Sequence, residues 1–96
     1  CIRDRLKPCA RLEDPASGRT MTIATNAPGL QFYNGHKIFE QNQVGKGGQR
    51  YPAWAGLCLE TQAFPNAVNH PHFPSMVVYP GETYHHQTTF AFSVAD

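Results

Sequence analysis

The chain has 96 residues, eight basic against seven acidic side chains, and a net charge of +1 at pH 7. That length suffices for one small domain with a modest core. The absence of a basic run argues against nucleic acid and anionic membrane surfaces as partners, and no apolar stretch approaches the length of a membrane span. Cys1, Cys9 and Cys58 are odd in number, widely spaced and without a CxxC pair, so they frame neither a disulfide scaffold nor a zinc site, and a reducing cytoplasm is the expected location. Eight prolines, eight glycines and no helical period predict an all-β, antiparallel chain forming part of a β-sandwich.

In chain order, residues 1–7 are charged and irregular, an end expected to fray. Residues 10–13 are a short strand candidate. Asp14-Pro15-Ala16-Ser17-Gly18 reads as a turn: Asp opens it, Pro fixes one backbone angle, and Gly fills the position that needs freedom. Residues 19–25 alternate, Met21 and Ile23 against Thr20 and Thr22, which predicts a hairpin with the preceding strand. Arg19 and Asp14 are placed to pair across it, for little energy if exposed. Asn26-Ala27-Pro28-Gly29 breaks the pattern. Residues 30–33 resume it, with Leu30 and Phe32 on one face and Gln31 and Tyr33 on the other.

Residues 34–52 read as a long loop with four glycines. Its Gly45-Lys46-Gly47-Gly48 run lacks the Lys-Ser/Thr ending and the following helix of a phosphate loop. Next comes the stretch with the strongest chemical character, residues 56–75. Ala55, Leu57, Leu59 and Thr61 alternate with Gly56, Cys58, Glu60 and Gln62, so Glu60 points away from the apolar side. A loop stiffened by Pro65, Pro71 and Pro74 with Asn66 and Asn69 follows. One carboxylate on a rigid strand beside a stiff loop is a way to hold a single acid or base still. On spacing alone, the plainer reading is a solvated surface glutamate, and Gln31 likewise reads as an ordinary strand residue. If the two strands share a sheet, Gln31 and Glu60 look into one polar groove. Cys58, one pleat from Glu60, is better read as a small quiet side chain than as a catalytic thiol.

Residues 76–79 are a strand candidate, Pro80-Gly81-Glu82 a tight turn, and residues 84–94 the longest alternating run, a closing strand whose latter half is expected in the core. His70 and His72 flank a proline, and His85 and His86 point to opposite strand faces. Neither pair has a carboxylate or cysteine at ligand spacing, so no metal is expected and local hydrogen bonding is the better reading.

Four segments in order carry a resemblance. They are Asp14-Pro15 with Ser17-Gly18-Arg19; Thr25 with Pro28-Gly29-Leu30-Gln31-Phe32-Tyr33; Leu59-Glu60-Thr61-Gln62 with Phe64-Pro65-Asn66-Ala67 and Asn69-His70-Pro71 through Phe73-Pro74-Ser75; and Pro80-Gly81-Glu82 with Tyr84. Together they resemble the C-terminal part of the aldose 1-epimerase (galactose mutarotase) family, across nearly the whole chain. Family members are much longer. The resemblance therefore implies that residues 1–96 are a single C-terminal segment of a large mutarotase-like β-sandwich, with the N-terminal part of that domain absent and expected as its partner.

The resemblance implies an isomerase that interconverts the α and β anomers of aldohexoses such as galactose and glucose, without metal or organic cofactor. Glu60 matches the family's general base, and Gln31 matches a sugar-contacting glutamine. Ring opening needs one base and one acid on opposite sides of the sugar, each able to reverse its role. The family's acid is a histidine upstream of the Leu-Glu-Thr-Gln motif. None of His36, His70, His72, His85 or His86 matches its position, so the chain carries only part of a site. Asn34-Gly35-His36 and Asn66 depart from common family wording, and His36 is a candidate to alter the groove rim. Trp54 is equally a sugar-stacking residue or a rim-packing one. With no arginine cluster for a phosphate, the match leans toward unphosphorylated sugars. Two other readings stay open: a non-catalytic carbohydrate-binding β-domain, and an inactive fragment that persists by association because its strand edges are exposed.

Overall fold

The computed structural model describes residues 5–38 and 43–95. Its first hairpin is built by the predicted turn. The Asp14 carboxylate accepts hydrogen bonds from the Ser17 hydroxyl (2.5 Å) and the Ala16 N–H (3.2 Å). Gly18 takes a φ of +72°, and the Asp14 N–H donates to the Arg19 carbonyl at 2.9 Å. Asp14 and Arg19 therefore meet through their backbones. The expected ion pair is replaced by these local bonds, which already occupy the carboxylate, and the Arg19 side chain stays exposed.

The hydrogen bond from Ser17, reinforced by that from Ala16, holds the Asp14 carboxyl below its ordinary value. A group depressed in the folded state contributes stability that is complete above its unfolded value, about pH 3.9, and is lost as pH falls through the folded value. We expect an NMR titration of the Asp14 carboxyl to show a midpoint below the ordinary aspartate range. In Ser17→Ala the midpoint should move back up, and an unmoved midpoint would remove Ser17 as the main cause.

The turn joins β1 (Lys7–Glu13) to β2 (Arg19–Thr25) in antiparallel register, Glu13 opposite Thr20 and Ala10 opposite Ile23. A register shift between Pro8 and Ala10 leaves Cys9 as an extra residue. Its thiol donates to the Ile23 carbonyl at 3.4 Å. On the other side, β2 pairs with β5 (Thr88–Val94) without interruption, from Arg19 opposite Val94 to Thr25 opposite Thr88, giving the order β1-β2-β5. The two-residue period puts Leu12, Met21, Ile23, Phe90 and Phe92 on one face, with Arg11, Thr22 and Ala91 on the other. Burial concentrates on the central strand, where Ile23 is fully buried and Thr20 and Thr25 nearly so.

Three further expectations need correction. The closing strand begins at Thr88, not at residue 84. The Asn26 side chain explains the delay: its Nδ2 donates to the His85 carbonyl (3.0 Å) and its Oδ1 accepts from the Gln87 N–H (2.9 Å). A side-chain amide thus takes hydrogen bonds that a neighbouring strand would otherwise make. The latter half of β5 is also not core here, since Phe90, Phe92 and Val94 are 52, 75 and 67% exposed. Residues 76–79 are not a strand. There the Val77 N–H is taken by the Ser75 hydroxyl and the Tyr79 N–H by the Glu82 carboxylate, both side-chain acceptors.

The second sheet pairs β3 (Gly29–Tyr33) with β4 (Cys58–Gln62). In the long loop a 3-10 turn spans Lys46–Gly48 and Val44 bridges Arg50; another 3-10 turn, Ala67–Asn69, follows β4. Among the described residues there is no α-helix, and no helix is long and apolar enough to cross a membrane. The all-β, antiparallel expectation holds. Contacts divide the chain into two compact units, one of residues up to Leu30 together with those from Thr61 onward, the other Gln31–Glu60.

Candidate functional site

Both sequence-predicted site residues lie in the unit Gln31–Glu60, on the paired strands β3 and β4. Each is the central residue of a five-residue strand, and each is exposed. Close approaches occur at both ends of the pair. A Cβ at Gly29 would sit 3.2 Å from the Gln62 carbonyl oxygen, and a Cβ at Gly35 would clash with the Gly56 carbonyl oxygen. Gln31 and Glu60 therefore lie on neighbouring strands. The Gln31 amide makes one long hydrogen bond, to the Phe32 carbonyl at 3.4 Å.

The rim of this unit is held by its backbone. Gly35 has a φ of +74°, and its carbonyl accepts the Trp54 N–H at 3.1 Å. Trp54 takes a φ of +60° and is 71% exposed. For a bulky residue that conformation costs on the order of 1–3 kcal/mol and persists only where its surroundings enforce it. Tyr33 accepts the Lys37 N–H on its hydroxyl and meets the His36 ring edge-on at 5.8 Å. The Asn34 side-chain oxygen accepts the His36 N–H, so His36 is engaged locally.

The other unit holds the stiff loop after β4. Asn66 takes a φ of +59°, Asn69 donates its side-chain amide to the Asn66 side-chain oxygen, and the Asn66 amide lies 3.3 Å from His70 Nε2. Phe73 packs against Phe64, His70 and His72, with ring centroids 4.4–5.2 Å apart. The loop histidines thus bond and pack locally. Among the described residues no group of three or more His, Cys, Asp or Glu could hold a metal ion. Cys9 and Cys58 are free thiols, both exposed.

One cluster escaped the sequence reading. Thr61, assigned there to the apolar side of its strand, lies 2.7 Å from the Thr88 hydroxyl, which in turn lies 3.2 Å from the Thr25 hydroxyl. His86 Nε2 is 3.2 Å from the first and 3.3 Å from the second. A signal was present, since threonines at strand ends can use their hydroxyls across strands. Nothing in the spacing said that these three would meet.

A carboxylate that only accepts, on a strand next to one that carries an amide able to donate and accept, is suited to a hydroxyl-bearing ligand. These features define an antiparallel β-protein with an exposed glutamate and an exposed glutamine at the centres of two neighbouring strands. The aldose 1-epimerase family profile matches residues 2–91, and the chain belongs to that family. It is 51% identical over 87 residues to galactose mutarotase of Sus scrofa, covering 91% of this chain and 25% of that protein. It is 49% identical to galactose mutarotase of Rattus norvegicus, covering 99% of this chain and 28% of that protein. Against aldose 1-epimerase of Escherichia coli the identity is 36%, over 75% of this chain and 21% of that protein. The chain therefore spans about a quarter of the length of these relatives, within their C-terminal part.

Proposed function

We propose that this chain forms part of an aldose 1-epimerase that interconverts the α and β anomers of aldohexoses such as galactose and glucose. Glu60 serves as the general base and Gln31 as a sugar ligand. The reading rests on family membership. The observation that supports these two residues is their shared place, mid-strand and exposed, on the β3–β4 pair. Glu60 takes the proton of the anomeric hydroxyl as an acid protonates the ring oxygen. The ring opens, the C1–C2 bond rotates, and closure on the other face returns both protons. Gln31 orients the sugar by donating to one hydroxyl oxygen and accepting from another hydroxyl.

None of this chain's histidines takes the acid's place in this scheme. The acid and the remaining sugar contacts come from the N-terminal remainder of the domain, the chain's proposed partner. No cofactor enters the scheme, and the free thiols fit a cytoplasmic enzyme. The large exposed apolar residues of β5 favour a form that is completed by that partner.

Polarimetric relaxation of freshly dissolved α-D-galactose and α-D-glucose tests the proposal, first with this chain and then with the remainder added. Acceleration with the remainder supports it. Sugar binding that survives Glu60→Gln, with no turnover in any assembly, supports a carbohydrate-binding domain instead. Self-association without sugar binding supports an inactive fragment. Gln31→Ala should weaken sugar binding while the far-ultraviolet circular dichroism stays unchanged. Unaltered affinity would remove Gln31 from the site.

A further inference from the structure

The hydroxyls of Thr25, Thr88 and Thr61 form a row whose direction can be deduced. Each hydroxyl has one proton to give and two lone pairs to receive with. Thr25 spends its proton on the Gln87 carbonyl (3.0 Å), which can only accept, and receives the Ala27 N–H (3.1 Å). Its 3.2 Å contact with Thr88 must therefore carry the Thr88 proton. Thr88, with its proton spent, must receive the Thr61 proton across their 2.7 Å contact. Thr61 then has no proton left for His86.

His86 Nε2 lies 3.2 Å from Thr61 and 3.3 Å from Thr88, so it must be the donor to both. This fills the two lone pairs of Thr88. Every other assignment leaves two lone pairs facing each other across one of these contacts. The inner end of the row is buried, with Thr25 only 3% exposed, so an unmatched contact there is costly. His86 itself is exposed, and its Nδ1 is left outside the row.

Thr61 immediately precedes Gln62 at the end of β4 and immediately follows Glu60. Their side chains leave opposite faces of the strand. We propose that this one-way relay makes Thr61 a positioning residue for Glu60, with His86 locked as the Nε2–H donor at its outer end. The positioning role rests on Glu60 being the base; the direction of the relay does not. A strand residue held by hydroxyl bonds on one side has less freedom to rotate its neighbour's side chain out of line. Misplacement by about 1 Å is enough to cost a catalytic group much of its effect.

The test uses this chain and needs no turnover. Long-range proton–nitrogen NMR of the histidine rings, above their titration, should show His86 protonated on Nε2. Protonation on Nδ1 would overturn the relay. Next, the Glu60 carboxyl carbon resonance is compared in Thr88→Val, a near-isosteric change far from Glu60 in sequence, and in Thr88→Ser. We expect a shift in the first variant and a return to the native position in the second. A resonance unmoved by Thr88→Val, or moved equally by both, would overturn the positioning role. If Thr88→Val does not fold, a native Glu60 position in Thr88→Ser with a native His86 tautomer supports the relay, and a displaced one overturns it. Failure of the functional reading is seen separately, as unchanged turnover in Glu60→Gln.

Discussion

Replacing Glu60 by glutamine is expected to lower anomer interconversion by at least about 10²-fold in whichever assembly turns over, the usual range for losing a general base. The substitution keeps the shape of the side chain and removes its ability to hold the proton. Glu60 is exposed at the centre of β4, so the change opens no cavity and breaks none of the side-chain hydrogen bonds seen in the structure. The Michaelis constant should change less than turnover, because an amide still offers the sugar a hydrogen-bonding oxygen. Polarimetry on both anomers reads the effect directly. Unchanged turnover would remove Glu60 from the mechanism and leave family membership standing without a base in this chain.

The largest expected effect on stability lies elsewhere. Ile23→Ala should cost about 2–5 kcal/mol, the range for truncating a buried aliphatic side chain. Ile23 is fully buried on the central strand, between Ala10 of β1 and Phe90 of β5, and its carbonyl receives the Cys9 thiol. Phe92 shares its face but is 75% exposed, so Phe92→Ala should fall within about 0.5 kcal/mol, as surface changes do. Urea unfolding of the two variants separates the cases. A large loss for Phe92→Ala would show that this face is covered in solution.

Local pattern carried the hairpin well. Asp14 through Gly18 and the alternation of residues 19–25 are short-range signals, and both are realised. The alternation around Glu60 also places it on an exposed position of a real strand, and Gln31 lies on that strand's partner. What sequence could not supply was the competition between ladder and side chain. Asn26 displaces the start of β5, and Ser75 and Glu82 take the N–H groups that would have made residues 76–79 a strand. Nor does alternation tell burial from apolarity. Phe90, Phe92 and Val94 have the pattern of a core, yet whether they are covered depends on what packs against their face. The threonine relay depends on three separate segments converging, which no spacing rule reports.

The order β1-β2-β5 has a consequence for how the molecule comes into being. The central strand finds one neighbour at once, across a tight turn, while its other neighbour lies at the far end of the chain; Thr25 and Thr88 are 63 residues apart. At synthesis rates of about 5–20 residues per second, β2 waits roughly 3–13 s with that edge unsatisfied. Pairing at such separation also pays loop-closure entropy before it gains any contact, which slows folding. The hairpin of β1 and β2 is therefore expected to form early and the sheet to close late. The interval between is when its open edge is most available to another chain.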